Sequence, residues 1–171
     1  MKKLYDIIES IAVAVFILTF ATMFLFRVII VDGDSMLNTL HNQEKIIISD
    51  FMYTPEKGDI VVTDTNNAYG KPLIKRIVAT GGDTIRIDFE NGQVYLNGGL
   101  LNEDYIMEPM QSTPSDDLEI TVPQGYVFLM GDNRNHSYDS RSEAIGVINE
   151  KDLLGGAVFR ISPLSKIGKV K

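Results

Sequence analysis

Apolar positions are spread unevenly along this chain, and the unevenness divides it in two. From Ile11 to Phe26 no residue is charged. If Arg27 reaches out to an interface, the apolar stretch runs on to Val31, about the 20 residues that span a bilayer core as a helix. Lys2 and Lys3 precede it and Asp32 and Asp34 follow it, a bias that places the N-terminus in the cytoplasm and the remainder outside. A cleaved secretory signal competes with this reading, but its apolar core runs only about 7–15 residues before a polar region. Here Thr19 and Ala21 lead instead into Met23, Phe24, Leu25 and Phe26. A core helix of a soluble protein would need a polar face, and this stretch has none. Residues 1–31 therefore read as a cytoplasmic start and single transmembrane anchor, and 32–171 as an extracytoplasmic domain.

Beyond the anchor the pattern changes to short β-branched runs between turn residues. The predicted strands cover 28–31, 45–49, 58–63, 73–79, 84–89, 93–96, 126–130 and 156–161. Glu90-Asn91-Gly92 and Asn97-Gly98-Gly99 are hairpin signals, so 84–126 is expected to form a small inserted β subdomain. Residues 108–119 carry two prolines and four acidic groups without periodicity and read as a solvated, mobile loop with no chemistry. The run 126–130 is continuously apolar, hence buried on both faces, and delivers a very polar loop at 131–141. Past the anchor no trustworthy helical period occurs, so the fold class is mainly β.

Charge and composition narrow the chemistry. The net charge is -7, and residues 1–31 contribute +1, leaving the domain acidic; nucleic acid, which needs a basic footprint, is disfavoured as a partner. With no cysteine and two histidines, His41 and His136, thiol chemistry and a His-rich metal cluster are excluded by count. Lys166, Lys169 and Lys171 close the chain, either as a solvated tail or against anionic lipid.

Four features exceed the needs of a plain β core. Ser35 follows Gly33 and Asp34 where the apolar segment ends, as a turn serine or a nucleophile. Lys75 lies in a strand whose alternation sends Leu73, Lys75 and Ile77 to one face and Ile74 and Arg76 to the other. One of the two cations then points inward or lies along an edge: either an edge lysine that deters pairing, or an amine whose pKa desolvation lowers until it is a neutral base. Such a lysine can take a serine's proton and return it to a leaving amine, as histidine does elsewhere. His41 and His136 compete for that role, each with a plain reading as a surface residue. In the polar loop, Asp139 and Arg141 are spaced to pair, Ser137 is placed to orient an amine, and Asp132 and Asn133 can bond nearby backbone. Asp83, after Gly81-Gly82, reads as a turn residue.

Gly33-x-Ser35-Met36, Gly58-Asp59, Lys75-Arg76, Gly82-Asp83 and Gly131-Asp132-Asn133-Arg134 through Ser137-x-Asp139-Ser140-Arg141 stand in one order and spacing. Together they resemble bacterial type I signal peptidase, in its single-anchor, Gram-positive-like form. The resemblance implies an antiparallel β fold of the signal-peptidase and repressor-protease kind. It implies a membrane-bound Ser-Lys endopeptidase that removes signal peptides after Ala-x-Ala-like sequences, without metal or cofactor, at the bilayer and beside the export translocase. By resemblance Ser35 is the nucleophile and Lys75 the general base. Gly33, Ser137, Asp139 and Arg141 support the site and its oxyanion hole, and Ile29, Val31, Met36, Leu40 and Ile74 bind substrate. The family usually carries proline where this chain has Asn38. Two rivals remain: a self-cleaving repressor, which would need a DNA-binding segment in place of the anchor, and a catalytically silent, membrane-tethered paralogue acting as a chaperone for exported or pilus proteins.

Overall fold

A computed structural model describes residues 2–67 and 69–170, with the side chains of Lys2, Ala21 and Phe24 left aside; Lys171 of the basic tail lies outside the described residues. Helix α1 (Lys2–Leu25) takes up the apolar segment only as far as Leu25; the expected span to Val31 is cut short because residues 27–30 pair as a strand with 45–48. In α1, Ile11, Val13, Val15, Phe16, Ile17, Leu18 and Met23 are all more than half exposed, so apolar groups face outward all round the helix. Among the described residues no helix is long and apolar enough to cross a membrane.

The rest is β, as its β-branched runs require. The larger sheet is built from β1 (Arg27–Ile30), β2 (Lys45–Ser49), β3 (Ile60–Thr63), β4 (Ile74–Thr80), β9 (Tyr126–Met130), β10 (Ile148–Asn149), β11 (Leu153–Ser162) and β12 (Gly168–Lys169). Their order is β1-β2-β11-β3-β4-β9-β10, with β12 also on β11. The smaller sheet runs β7 (Gly99–Leu100), β6 (Gln93–Leu96), β5 (Thr84–Asp88), β8 (Leu118–Thr121). All pairings are antiparallel. The small sheet does not keep a separate core: Ile85, Ile87 and Val94 share one cluster with Phe128 and Met130 of β9.

Several strands differ from expectation at their ends. The first stops at Ile30, and Val31 turns inward, its N–H bonded to Glu44 O at 2.8 Å. The last begins at Leu153 rather than 156 because Gly155 and Gly156 pass close to its neighbours: a Cβ on either would collide with Ser49 and Asp50 backbone or the Tyr53 ring. Nor is 108–119 simply solvated. Met110 is buried in the cluster between the two sheets, and β8 starts inside the segment. Asp83 is the turn residue expected of it. Burial alone would raise its carboxyl, but hydrogen bonds from Thr80, Asn97 and Lys57 bring it down to about 2.

Candidate active site

Strand β4 lies between β3 and β9, deep in the larger sheet, which removes the edge-lysine explanation for Lys75. The alternation puts its two cations on opposite faces as expected, yet both are buried, Lys75 at 4% and Arg76 at 3% exposure. Each face of this strand is covered, and each cation has found a different partner.

Lys75 meets Ser35. The chain leaves β1, turns at Gly33 with φ +97°, and carries Ser35 back so that Lys75 Nζ lies 2.7 Å from Ser35 Oγ and 3.1 Å from Ile74 O. Burial among apolar neighbours drives the Lys75 pKa down from 10.5 to about 8, with the charge of Asp139 acting against the fall and that of Arg141 adding to it. A hydroxyl in contact with an amine that gives up its proton near neutrality has the arrangement that activates a nucleophile. No described residue accepts from the Ser35 N–H, which leaves that donor free. Gly33 N–H is committed to Asn42 Oδ1 at 3.2 Å, so Gly33 contributes the turn and not a second oxyanion donor.

The polar loop closes the back of the site. Arg141 donates to both oxygens of Asp139, at 2.8 and 2.9 Å. Burial would raise the Asp139 carboxyl, but these bonds, the Arg141 charge and donation from Ser137 and Gly131 N–H hold it below its ordinary value. Ser137 Oγ donates to Asp139 at 2.6 Å, and among the described residues no hydrogen bond joins it to Lys75. In this structure it braces the carboxylate rather than the amine. Gly131 has to be glycine, since a Cβ there would overlap Ser137 Oγ and Ser35 O.

Arg76 points the other way and clamps Asp132 bidentately, Nε to Oδ1 at 2.8 Å and Nη2 to Oδ2 at 2.7 Å. Asp132 also accepts from Thr39 Oγ1, while Asn133 N–H holds Ser35 O at 3.0 Å and its side chain holds Asp34 O. Asp132 and Asn133 thus do more than form a turn: they fasten the Ser35 segment from behind. Partners 56 residues apart leave no local pattern in the sequence, and only two adjacent cations in an otherwise apolar strand hint that both need burial.

A cavity of about 600 Å³ adjoins Ser35 and Lys75. Ile29, Val31, Met36 and Ile74 line it as expected, joined by Val62 and Leu154, which the sequence did not single out. Leu40 does not line it. With no exposure at all, it packs beneath the site against Val31, Met36 and Ile46. Tyr69 and Tyr138, with ring centroids 5.7 Å apart, meet at the cavity, where His136 also stands. His41 is elsewhere, beside Glu44 and Lys166.

Comparison with known proteins settles the family. Residues 4–162 match the family described as signal peptidase, peptidase S26. The chain belongs to the S26 signal peptidases. It is 34% identical to signal peptidase I P of Bacillus subtilis subsp. natto, over 99% of this chain and 95% of that one. It is 36% identical to a probable signal peptidase I-1 of Synechocystis sp. over 151 residues, covering 82% of this chain and 73% of the relative. A solved signal peptidase I from Enterococcus faecalis V583 superposes with a TM-score of 0.50 at 26% identity, over 61% of this chain and 97% of its own. In this signal peptidase, then, the mainly β antiparallel fold is the family's fold.

Proposed function

We propose that this signal peptidase cleaves the signal peptides of exported proteins with Ser35 as nucleophile and Lys75 as general base. Membership of the family makes it a signal peptidase I, a hydrolase acting on signal peptides; the assignment of the dyad is our reading. The observation that carries it is the 2.7 Å contact between Ser35 Oγ and a Lys75 amine whose pKa burial has lowered to about 8. Neutral Lys75 takes the Ser35 proton as Oγ attacks the scissile carbonyl, then gives it to the leaving amine. The acyl-serine that remains is hydrolysed by a water that loses its proton to Lys75. The free N–H of Ser35 is suitably placed to steady the oxyanion.

The substrate enters as an extended strand along β1, which stands at one end of its sheet. Main-chain pairing holds it, and its side chains meet the apolar wall formed by Ile29, Val31, Met36 and Ile74, where small residues of Ala-x-Ala-like sites would sit. Asp139, Arg141 and Ser137 hold the charge around the amine fixed.

In this reading the N-terminal segment 1–31 is a single-pass anchor, its start in the cytoplasm and residues 32–171 outside, working beside the export translocase; the described residues of α1 do not by themselves make a membrane-crossing helix, so the reading leans mainly on the sequence. Support comes from the sequence, which carries no charge from residue 10 to 26, and from apolar side chains exposed all round the helix, an arrangement that water penalises and lipid accepts.

The test is cleavage of a preprotein by the detergent-solubilised full chain, beside Ser35→Ala and Lys75→Ala. Cleavage by the intact chain and none by either variant is expected. No cleavage by the intact chain returns the silent-paralogue reading, and equal cleavage by a variant removes the dyad.

A further inference from the structure

The segment from Glu103 to Gln111 is irregular and half exposed, yet it touches nearly every buried charge behind the site. Tyr105 lays its ring over the Arg76 guanidinium at 4.2 Å and lies 5.9 Å from that of Arg134. Glu103 pairs with Arg134, and the Tyr105 hydroxyl donates to Glu103. Met107 N–H donates to Asp132 O at 3.1 Å, and the Met110 sulfur accepts from Arg141 Nη1 at 3.3 Å. Asn135 is held on both sides, donating to Glu108 at 2.7 Å and accepting from Gln111 N–H at 2.8 Å. An ordinary connection between a hairpin and the next strand has no need of this density of contact with one loop.

We propose that this segment is a strap, and that Tyr105 is the positioning residue through which it holds the nucleophile. The inference rests on the reading of Ser35 as nucleophile. Arg76 spends its in-plane donors on Asp132, Gly58 O and Thr39. Its planar face carries no donor, and an aromatic ring lies flat against it and adds a cation–π attraction that an aliphatic side chain would not supply. Covered, the Arg76–Asp132 pair stays dry and strong. Asp132 then fixes Thr39 at the far end of the Ser35 segment, while its neighbour Asn133 fixes Asp34 O and Ser35 O at the near end. Tyr105 touches neither substrate nor the reacting atoms. It lies on the Arg76 side of β4, opposite Lys75 and the cavity, so removing its ring affects how Ser35 is held and leaves substrate contacts in place. Misplacement of a nucleophile by a fraction of an ångström is expensive in rate.

Tyr105→Leu should lower kcat about tenfold with KM within twofold of wild type, and Tyr105→Phe, which keeps the plane and loses the hydroxyl, should restore kcat to within twofold. Both are measured on a preprotein with the full chain in detergent, alongside wild type and Ser35→Ala, with near-UV circular dichroism to establish folding. If Tyr105→Leu does not fold, Glu103→Gln takes its place and should lower kcat about threefold at unchanged KM, because it loosens Arg134 without removing the ring. A folded Tyr105→Leu enzyme with wild-type kcat, a loss carried by KM, or a Tyr105→Phe enzyme as impaired as Tyr105→Leu would each overturn the strap while leaving the dyad standing. Wild type that does not outpace Ser35→Ala would instead defeat the dyad, and the strap with it.

Discussion

On the proposed mechanism Lys75 is a good base and a bad core residue at once, and replacing it with methionine separates the two. Methionine keeps the length and apolar stem and removes the amine. Below pH 8 the amine is protonated in both folded and unfolded chains, and burial penalises the folded one. From 10.5 down to about 8, at 1.36 kcal/mol for each unit of pKa, the penalty is about 3 kcal/mol. Methionine also forfeits the hydrogen bonds to Ser35 Oγ and Ile74 O, about 1 kcal/mol each. Near pH 6.5 Lys75→Met should therefore be more stable by about 1 kcal/mol, a rise of roughly 2–4 °C in Tm for a chain of this size, and should cleave nothing.

The sign must reverse with pH. Between about 8 and 10.5 the unfolded chain binds a proton that the folded one does not, so wild type gains stability as pH rises. By pH 10.5 only the lost hydrogen bonds distinguish the two, leaving the variant less stable by about 2 kcal/mol. Urea unfolding in detergent at pH 6.5 and at pH 10.5 measures both points. A variant less stable than wild type at pH 6.5, or a difference that does not change with pH, would refute the claim that Lys75 is held at the expense of the fold.

Three other substitutions probe the surroundings. Gly131→Ala pushes a methyl against Ser137 Oγ and Ser35 O and should cut kcat at least tenfold while the protein stays folded; steady-state kinetics on a preprotein reads it. Leu40→Ala, beneath rather than inside the cavity, should cost about 2–5 kcal/mol of stability in urea unfolding and leave the preference for small residues unchanged in a substrate panel. Asp139→Asn removes a charge that raises the Lys75 pKa, so the acidic limb of the rate profile should move to lower pH. The same change strands Arg141 and should destabilise by about 3–5 kcal/mol.

The sequence disclosed those parts of the molecule whose causes are local. The longer strands followed from their apolar, β-branched runs, with errors at ends where tertiary contact decides, as at Gly155 and Gly156 beside Ser49 and Tyr53; the short β7, β8, β10 and β12, of two to four residues, were missed because so few positions leave no pattern to read. Lys75 and Arg76 were rightly sent to opposite faces, but nothing near them said that both faces were covered, because Asp132 and Tyr105 arrive from far along the chain. Leu40 looked like a lining residue from its place in the motif, and the turn after Ser35 folds it under instead. The prolines and acids of 108–119 read as a loop and hid Met110, and nothing in the sequence singled out Tyr105 just before it. Their contacts are single side chains reaching inward, which leave no period to detect.

The central claim is that Ser35 is driven by a lysine made neutral by burial, and the pH dependence of kcat/KM on a preprotein tests it most directly. The account predicts that the rate climbs with pH to a plateau through one group titrating at about 8, with that limb absent from the residual rate of Lys75→Ala. A limb governed by a group near 10.5, the ordinary value for a lysine, or one that persists unchanged in Lys75→Ala, would contradict it.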